Sequence, residues 1–375
     1  MSSAPTGAFG PMSTSFDRWF PIPKFLLPPA AGIDISDSSI KWLVLAPAVS
    51  RPGFEVAAWG QAPLAAGVVV GGLIRDARAL ADALMRIKPH LAGVSCAHAA
   101  LPEEAGYVFS MHVPPGSDRK QALSLIEFEF DGRVPIPPPS AVYDYNPIER
   151  DHGATGDEIG VVVFPNEVAE SYAAAFDQAG ITLLSLEIEA RSIARAVSSH
   201  EANEPITLLV DFGRARSGIA VLKRGIPIFT STVEVGGEAI MQAAGKALSA
   251  PFEEAERFAN TEGLVAKDGA RAPAAEAIAT TAAALADEIA RHYRFWDTRR
   301  NQEGQRMTPV GKIVLVGGSA NVNGLPEFLA GRIQARVERG NIWRHICSFD
   351  DYIPPMEARI SMQFATAAGL ALRGL

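Results

Sequence analysis

One local pattern occurs twice in this chain, as GIDISDSSIKWLVL from Gly32 to Leu45 and as LLVDFGRARSGIAVLKRG from Leu208 to Gly225. Each copy is an apolar strand ending in an Asp (Asp34, Asp211), then a short polar turn, then a second strand. A tight hairpin of this kind turns backbone N–H groups toward an anion, while the Asp can organise a divalent cation through water. The duplication therefore predicts two half-molecules facing each other across a cleft that suits a nucleotide.

Length allows this, since 375 residues suffice for two cored domains. The balance of 42 Asp+Glu against 34 Lys+Arg gives a net charge of −8, which offers no support for phosphate-backbone binding and argues against a nucleic-acid partner. Two cysteines, Cys96 and Cys347, make neither a disulfide framework nor a zinc spacing, and a reducing compartment is the simplest reading. The histidines are scattered, with His90 and His98 lacking a third ligand nearby. The apolar stretch Pro63 to Ile74 is broken by glycines and is shorter than the ~20 residues of a membrane span.

Along the chain, residues 1–29 read as a flexible arm. Its second part, FDRWFPIPKFLLPP, is expected to lie extended on its own domain or a neighbour, with a membrane-interface contact as the alternative. Residues 30–100 read as mixed strands and helix, with Asp76 capping a helix that carries Leu80, Leu84 and Ile87. Residues 101–187 read as an inserted α+β module: a strand, a helix from Asp118, the proline cluster VPIPPPSAVYDY, a hairpin loop at Glu149–Glu158, and a strand, helix and strand ending at Ile188. A return helix follows (188–205), and then the second half (206–355) with Gly236–Gly237–Glu238 opening one helix and Gly317–Gly318–Ser319 ending a buried strand. The Ala-rich helix from Ala274 is expected to bury Ile278, Leu285, Ile289 and Phe295, and the terminal MQFATAAGLALRGL to be a close-packing helix.

Two Asp-bearing turns, a Gly-Gly-Glu, a Gly-Gly-Ser and a terminal small-residue helix, in this order, resemble the actin-like ATPase superfamily. Within it, GIDISDSSIKWLVL, LAAGVVVGGLIRD, VPIPPPSAVYDY, EVGGEAI and IVLVGGSANVNGLPEFLAGRI are most similar to the PilM family of type IV pilus assembly proteins, relatives of the cell-division protein FtsA, from about Ala31 onward. The resemblance implies an α/β fold of two lobes around a nucleotide cleft, with the inserted module as a 1C-type subdomain. It also implies a cytoplasmic scaffold at the inner membrane that binds ATP and Mg²⁺ between its lobes. Its partner would be the N-terminal cytoplasmic peptide of a PilN-like membrane protein, held in a groove involving the first lobe and the module. Contacts to other platform and motor proteins, and self-association, come with the same resemblance.

By the same resemblance, Asp34 and Asp211 would sit near the metal, and Ser36, Asp37, Ser38, Ser39 and Lys41 would line the first phosphate turn. Gly213 and Arg214 belong to the second turn, Gly236, Gly237 and Glu238 to the ribose and phosphates, Gly317, Gly318 and Ser319 to the adenosine, and Glu256 to the sugar. Three positions depart from the family pattern: Asp37 in a turn that is usually Gly-Ser-Ser, Arg214 and Arg216 in place of small hydroxyl residues, and Ala259 in place of a lysine. Arg214 or Arg216 either binds phosphate or pairs with Asp37 and closes the cleft without nucleotide. A metabolite kinase of the same fold and a type II secretion platform component are the alternative functions.

Overall fold

The computed structural model describes residues 28–148, 156–199, 205–266, 268–300 and 307–375. The N-terminal arm through residue 27 and most of the expected loop at 149–158 lie outside the described residues.

The duplication seen in two turns extends to whole sheets. In the first lobe β1 (Ala30–Ile35), β2 (Ser39–Pro47) and β3 (Phe54–Pro63) form an antiparallel meander. On the other side of β1, β6 (Cys96–Leu101) and β10 (Thr182–Ile188) add in parallel, giving the order β10-β6-β1-β2-β3. The second lobe repeats this with β11 (Ile206–Phe212), β12 (Ser217–Lys223), β13 (Ile226–Val233), β14 (Val310–Val316) and β15 (Val337–Arg339), in the order β13-β12-β11-β14-β15. The pairings match strand for strand, with β11 antiparallel to β12 and parallel to β14. A small hairpin of β4 (Val69–Val70) and β5 (Leu73–Ile74) precedes helix α1 (Ala77–Ile87), whose N-cap Asp76 accepts from Ala79 N at 2.9 Å.

The inserted module is smaller than the sequence suggests. Its sheet holds only β7 (Tyr107–Val113), β9 (Asp157–Pro165) and β8 (Ala141–Ile148), covered by α2 (Arg119–Arg133), which starts with a capping box between Asp118 and Gln121. Phe109, Ile126, Phe130, Val161 and Val163 form its own core. Helix α3 (Asn166–Gln178) and β10, read as part of 101–187, build the first lobe instead. A parallel strand needs a crossover helix, and α3 is that crossover: its Val168, Tyr172 and Phe176 are buried with Leu80, Leu84 and Ile87 of α1.

Helix α4 (Glu189–Val197) leads from β10 toward the second lobe, and its Ile193, Ala194 and Val197 share a core with β11 and β14. The second lobe then adds α5 (Gly237–Leu248), α6 (Phe252–Thr261), α7 (Ala272–Thr298) and α8 (Leu325–Ile333). On α7, Ile278, Leu285 and Ile289 are fully buried, but Phe295 is 61% exposed and Trp296 takes the core position. Trp296 stands seven residues after Ile289 and returns to its face, whereas Phe295 falls about 120° short of it. The terminal segment folds as α9 (Ala358–Ser361), a 3₁₀ turn and α10 (Ala365–Ala371), the last lying across β1 and α4. Gly369 meets the Ser192 carbonyl so closely that a Cβ would overlap it. No helix among the described residues is long and apolar enough to cross a membrane.

Candidate functional site

The carboxyl ends of β1, β6, β10 and β11 converge on one cleft, the place where an α/β sheet leaves room for a ligand. Each end brings an acid: Asp34 from β1, Glu103 and Glu104 just after β6, Glu189 just after β10, and Asp211 from β11. Sequence reasoning found Asp34 and Asp211 and missed the three glutamates. Burial lifts the Glu103 carboxyl well above its usual range, reinforced by Asp211 and Glu104. Glu189 rises for the same reason, with Asp34, Glu103, Glu104 and Asp211 adding to it. Asp211 is pushed up to about 6 by burial and Asp34. Glu103 Oε2 is buried without a hydrogen-bond partner among the described residues. Lys41 faces Asp34 across the β1–β2 ladder, with Nζ 3.5 Å from Oδ2.

In the first turn, Ser36 Oγ donates to the Ser39 carbonyl (3.0 Å) and lies 3.2 Å from Ser39 Oγ, so these hydroxyls brace the turn. Ser38 is exposed, and its carbonyl accepts from Leu64 N. Asp37 accepts from Gly71 N (3.1 Å) and Gly72 N (2.9 Å), and Arg216 of the second lobe pairs with it directly. Arg216 Nε also stands 3.0 Å from Glu104. Of the two arrangements open to the arginines, Arg216 takes the pairing with Asp37. Arg214 points elsewhere, 3.1 Å from Glu238 and 5.5 Å from the Phe252 ring centre.

The second turn interlocks with both Gly-Gly segments. The Gly213 carbonyl accepts from Gly237 N and from Ser319 Oγ, each at 3.0 Å, and the Arg214 carbonyl accepts from Glu238 N at 2.9 Å. Gly236 is pressed against the Arg214 carbonyl, Gly237 against Ser319, and Gly317, at φ +88°, against Asp211 and Phe212. Only glycine fits three such approaches. Gly318 is exposed beside Gln363, and Glu256 is exposed on α6. One turn beyond Glu256, Asn260 Oδ1 is buried without a partner among the described residues.

A divalent cation fits this donor set in one way. Among the described residues no three His, Cys, Asp or Glu side chains converge closely enough to ligate a metal directly. Asp34 and Asp211 interact across the cleft, and the Glu103 oxygen left without a partner offers a further acceptor, a donor set that suits a hydrated Mg²⁺ held through water better than direct ligation.

Comparison with known proteins follows the same lines. The family described as type IV pilus assembly protein PilM matches residues 32–375. The chain belongs to the PilM family. A solved PilM–PilN type IV pilus biogenesis complex superposes on it with a TM-score of 0.72 at 20% identity, covering 92% of this chain and 98% of that one. The ethanolamine utilization protein EutJ from Carboxydothermus hydrogenoformans gives 0.52 at 19% identity, covering 94% and 91%. MreB 5 of Spiroplasma citri, bound to AMPPNP, gives 0.51 at 11% identity, covering 91% and 94%. These likenesses identify the fold as actin-like. The search of curated proteins gave no match.

Proposed function

We propose that this PilM-family chain is a cytoplasmic scaffold of the type IV pilus assembly platform, peripheral to the inner membrane. It receives the N-terminal cytoplasmic peptide of a PilN-like membrane protein in a groove between the first lobe and the β7-β9-β8 module. It binds Mg·ATP between the lobes. The observation that carries the reading is the family match across both lobes and the module, joined to the likeness to a chain solved with PilN. The same match weighs against the kinase and type II secretion alternatives.

The nucleotide half draws on the acidic cleft, the unpaired Glu103 oxygen and the AMPPNP held by MreB 5. In this reading Asp34 and Asp211 order the waters of Mg²⁺. Lys41 supplies positive charge to the phosphates, Gly236–Gly237–Glu238 lie along the ribose and phosphates, and Gly317–Gly318–Ser319 face the adenosine. Motor proteins and self-association would then act on the outer surfaces.

Two measurements test the halves separately. The purified chain should co-purify with its PilN-like neighbour and lose it when that neighbour's first residues are deleted; retention after the deletion would sink the peptide reading. Titration with a fluorescent ATP analogue in Mg²⁺ should saturate below millimolar nucleotide, and no saturation at millimolar concentration would sink the nucleotide reading.

A further inference from the structure

We propose that Arg216 and Asp37 form a built-in latch that holds the two lobes closed, an internal anion taking the place at the cleft mouth that a polyphosphate would otherwise contest. The Asp37 carboxylate is prepared for the role by its own lobe. Gly71 and Gly72, at φ +61° and +70°, turn consecutive N–H groups onto its two oxygens, at 3.1 and 2.9 Å. That left-handed pair of amides is a concave anion seat, and the chain fills it with its own side chain. A Cβ on Gly72 would overlap the Pro102 ring, so the seat is fixed against the entry to the inserted module.

The second lobe contributes the cation. Arg216 ends the turn between β11 and β12, where Ser217 Oγ donates to the Val235 carbonyl at 2.5 Å and anchors the next residue. Its guanidinium reaches Asp37 through Nη2 and Glu104 through Nε, so one planar group ties the second lobe to the first-lobe turn and to the segment that follows β6 at once. The Arg216 side chain is only 21% exposed and that of Asp37 31%, which shields the pair from salt and strengthens it over an open surface bridge. Arg214, two residues earlier, is 62% exposed and bound to its own lobe, so it cannot replace Arg216. The latch explains the departure of both turns from small hydroxyl residues as one change: a carboxylate on one side and a guanidinium on the other.

The closing role stands on these contacts alone; the competition with polyphosphate rests on the nucleotide reading above. Pulsed-EPR distances between spin labels placed on the two lobes of the full chain, without nucleotide, read the first. Binding of the fluorescent ATP analogue in Mg²⁺ reads the second. Arg216→Ala and Asp37→Asn should each broaden and lengthen the inter-lobe distance and tighten analogue binding about tenfold, the factor that ~1.4 kcal/mol represents. Arg216→Lys, which keeps the charge and loses the fork, should fall between. Thermal melts identify a variant that fails to fold, and Asp37→Asn then carries the test because it preserves shape. Unchanged inter-lobe distances in folded Arg216→Ala and Asp37→Asn overturn the latch. Opened lobes with no saturable binding in any form of the protein support the latch and overturn the nucleotide reading instead.

Discussion

Asp211 sits at the end of β11 in the field of Asp34 and Glu104, and burial with those charges holds its pKa near 6, although Lys41 pulls it down. Its usual value is 3.8, so between about pH 4 and 6 the folded protein keeps a proton that the unfolded chain has released. Stability therefore falls as pH rises through that window, and above it the ionised Asp211 opposes folding. Asp211→Asn should stabilise the protein by up to about 3 kcal/mol at pH 7 and by nothing measurable near pH 4. Urea unfolding at the two pH values checks this; an equal effect at both would point to packing, not charge. Asp34 and Asp211 were legible in the sequence because each closes an apolar strand. Glu103 and Glu189 were not, because only the parallel placement of β6 and β10 beside β1 brings them to the same cleft. The pairing of Asp37 with an arginine of the second turn was one of two arrangements the sequence left open, whereas the seat that Gly71 and Gly72 make for its carboxylate was hidden, since those glycines read in sequence as mere punctuation.

Small residues decide how the connecting elements pack. The terminal segment read as a close-packing helix, and α10 sits against α4 with Gly369 on the Ser192 carbonyl, while Gly32 of β1 lies under Ala367 and Ala371. Both contacts are to backbone, which cannot rotate away as a side chain can. Gly369→Ala should cost about 2–3 kcal/mol, at the upper end of overpacking effects. Gly331→Ala on α8, where a Cβ meets nothing within 4 Å, should instead stabilise by about 0.5–1 kcal/mol through helix propensity. Denaturant midpoints at constant slope read both changes, and a neutral Gly369→Ala would mean that α10 can shift on α4. Helix existence was legible in this way because composition and caps act locally. The buried aromatic of α7 was not, since Phe295 and Trp296 are equally apolar and only helical phase and neighbours separate them.

At the scale of the molecule, two sheets of identical strand order make the lobes, and the module bridges them rather than hanging from the first. Its β9 meets the second lobe where Gly160 stands against Ile226 and Pro227. Beside that contact Glu158 pairs with Lys223 of β12 at 2.6 Å, with both side chains nearly buried. Arg191 of α4 strengthens the joint by donating to Asn146 of the module and to the Gly225 carbonyl. The sequence showed an insertion but not this second attachment, because Glu158 and Lys223 belong to no shared motif and their register follows from the tertiary fold. A double-mutant cycle of Glu158→Gln and Lys223→Met should give a coupling of about 1–3 kcal/mol, as expected for a desolvated pair whose members are costly to leave alone. Each single change should also speed hydrogen exchange in β7, β8 and β9 more than in either lobe sheet, because the module has its own core and can loosen as a unit. A coupling near zero with unchanged module exchange would mean that the apolar contact at Gly160 alone seats the module, leaving the ion pair without a part in holding it against the second lobe.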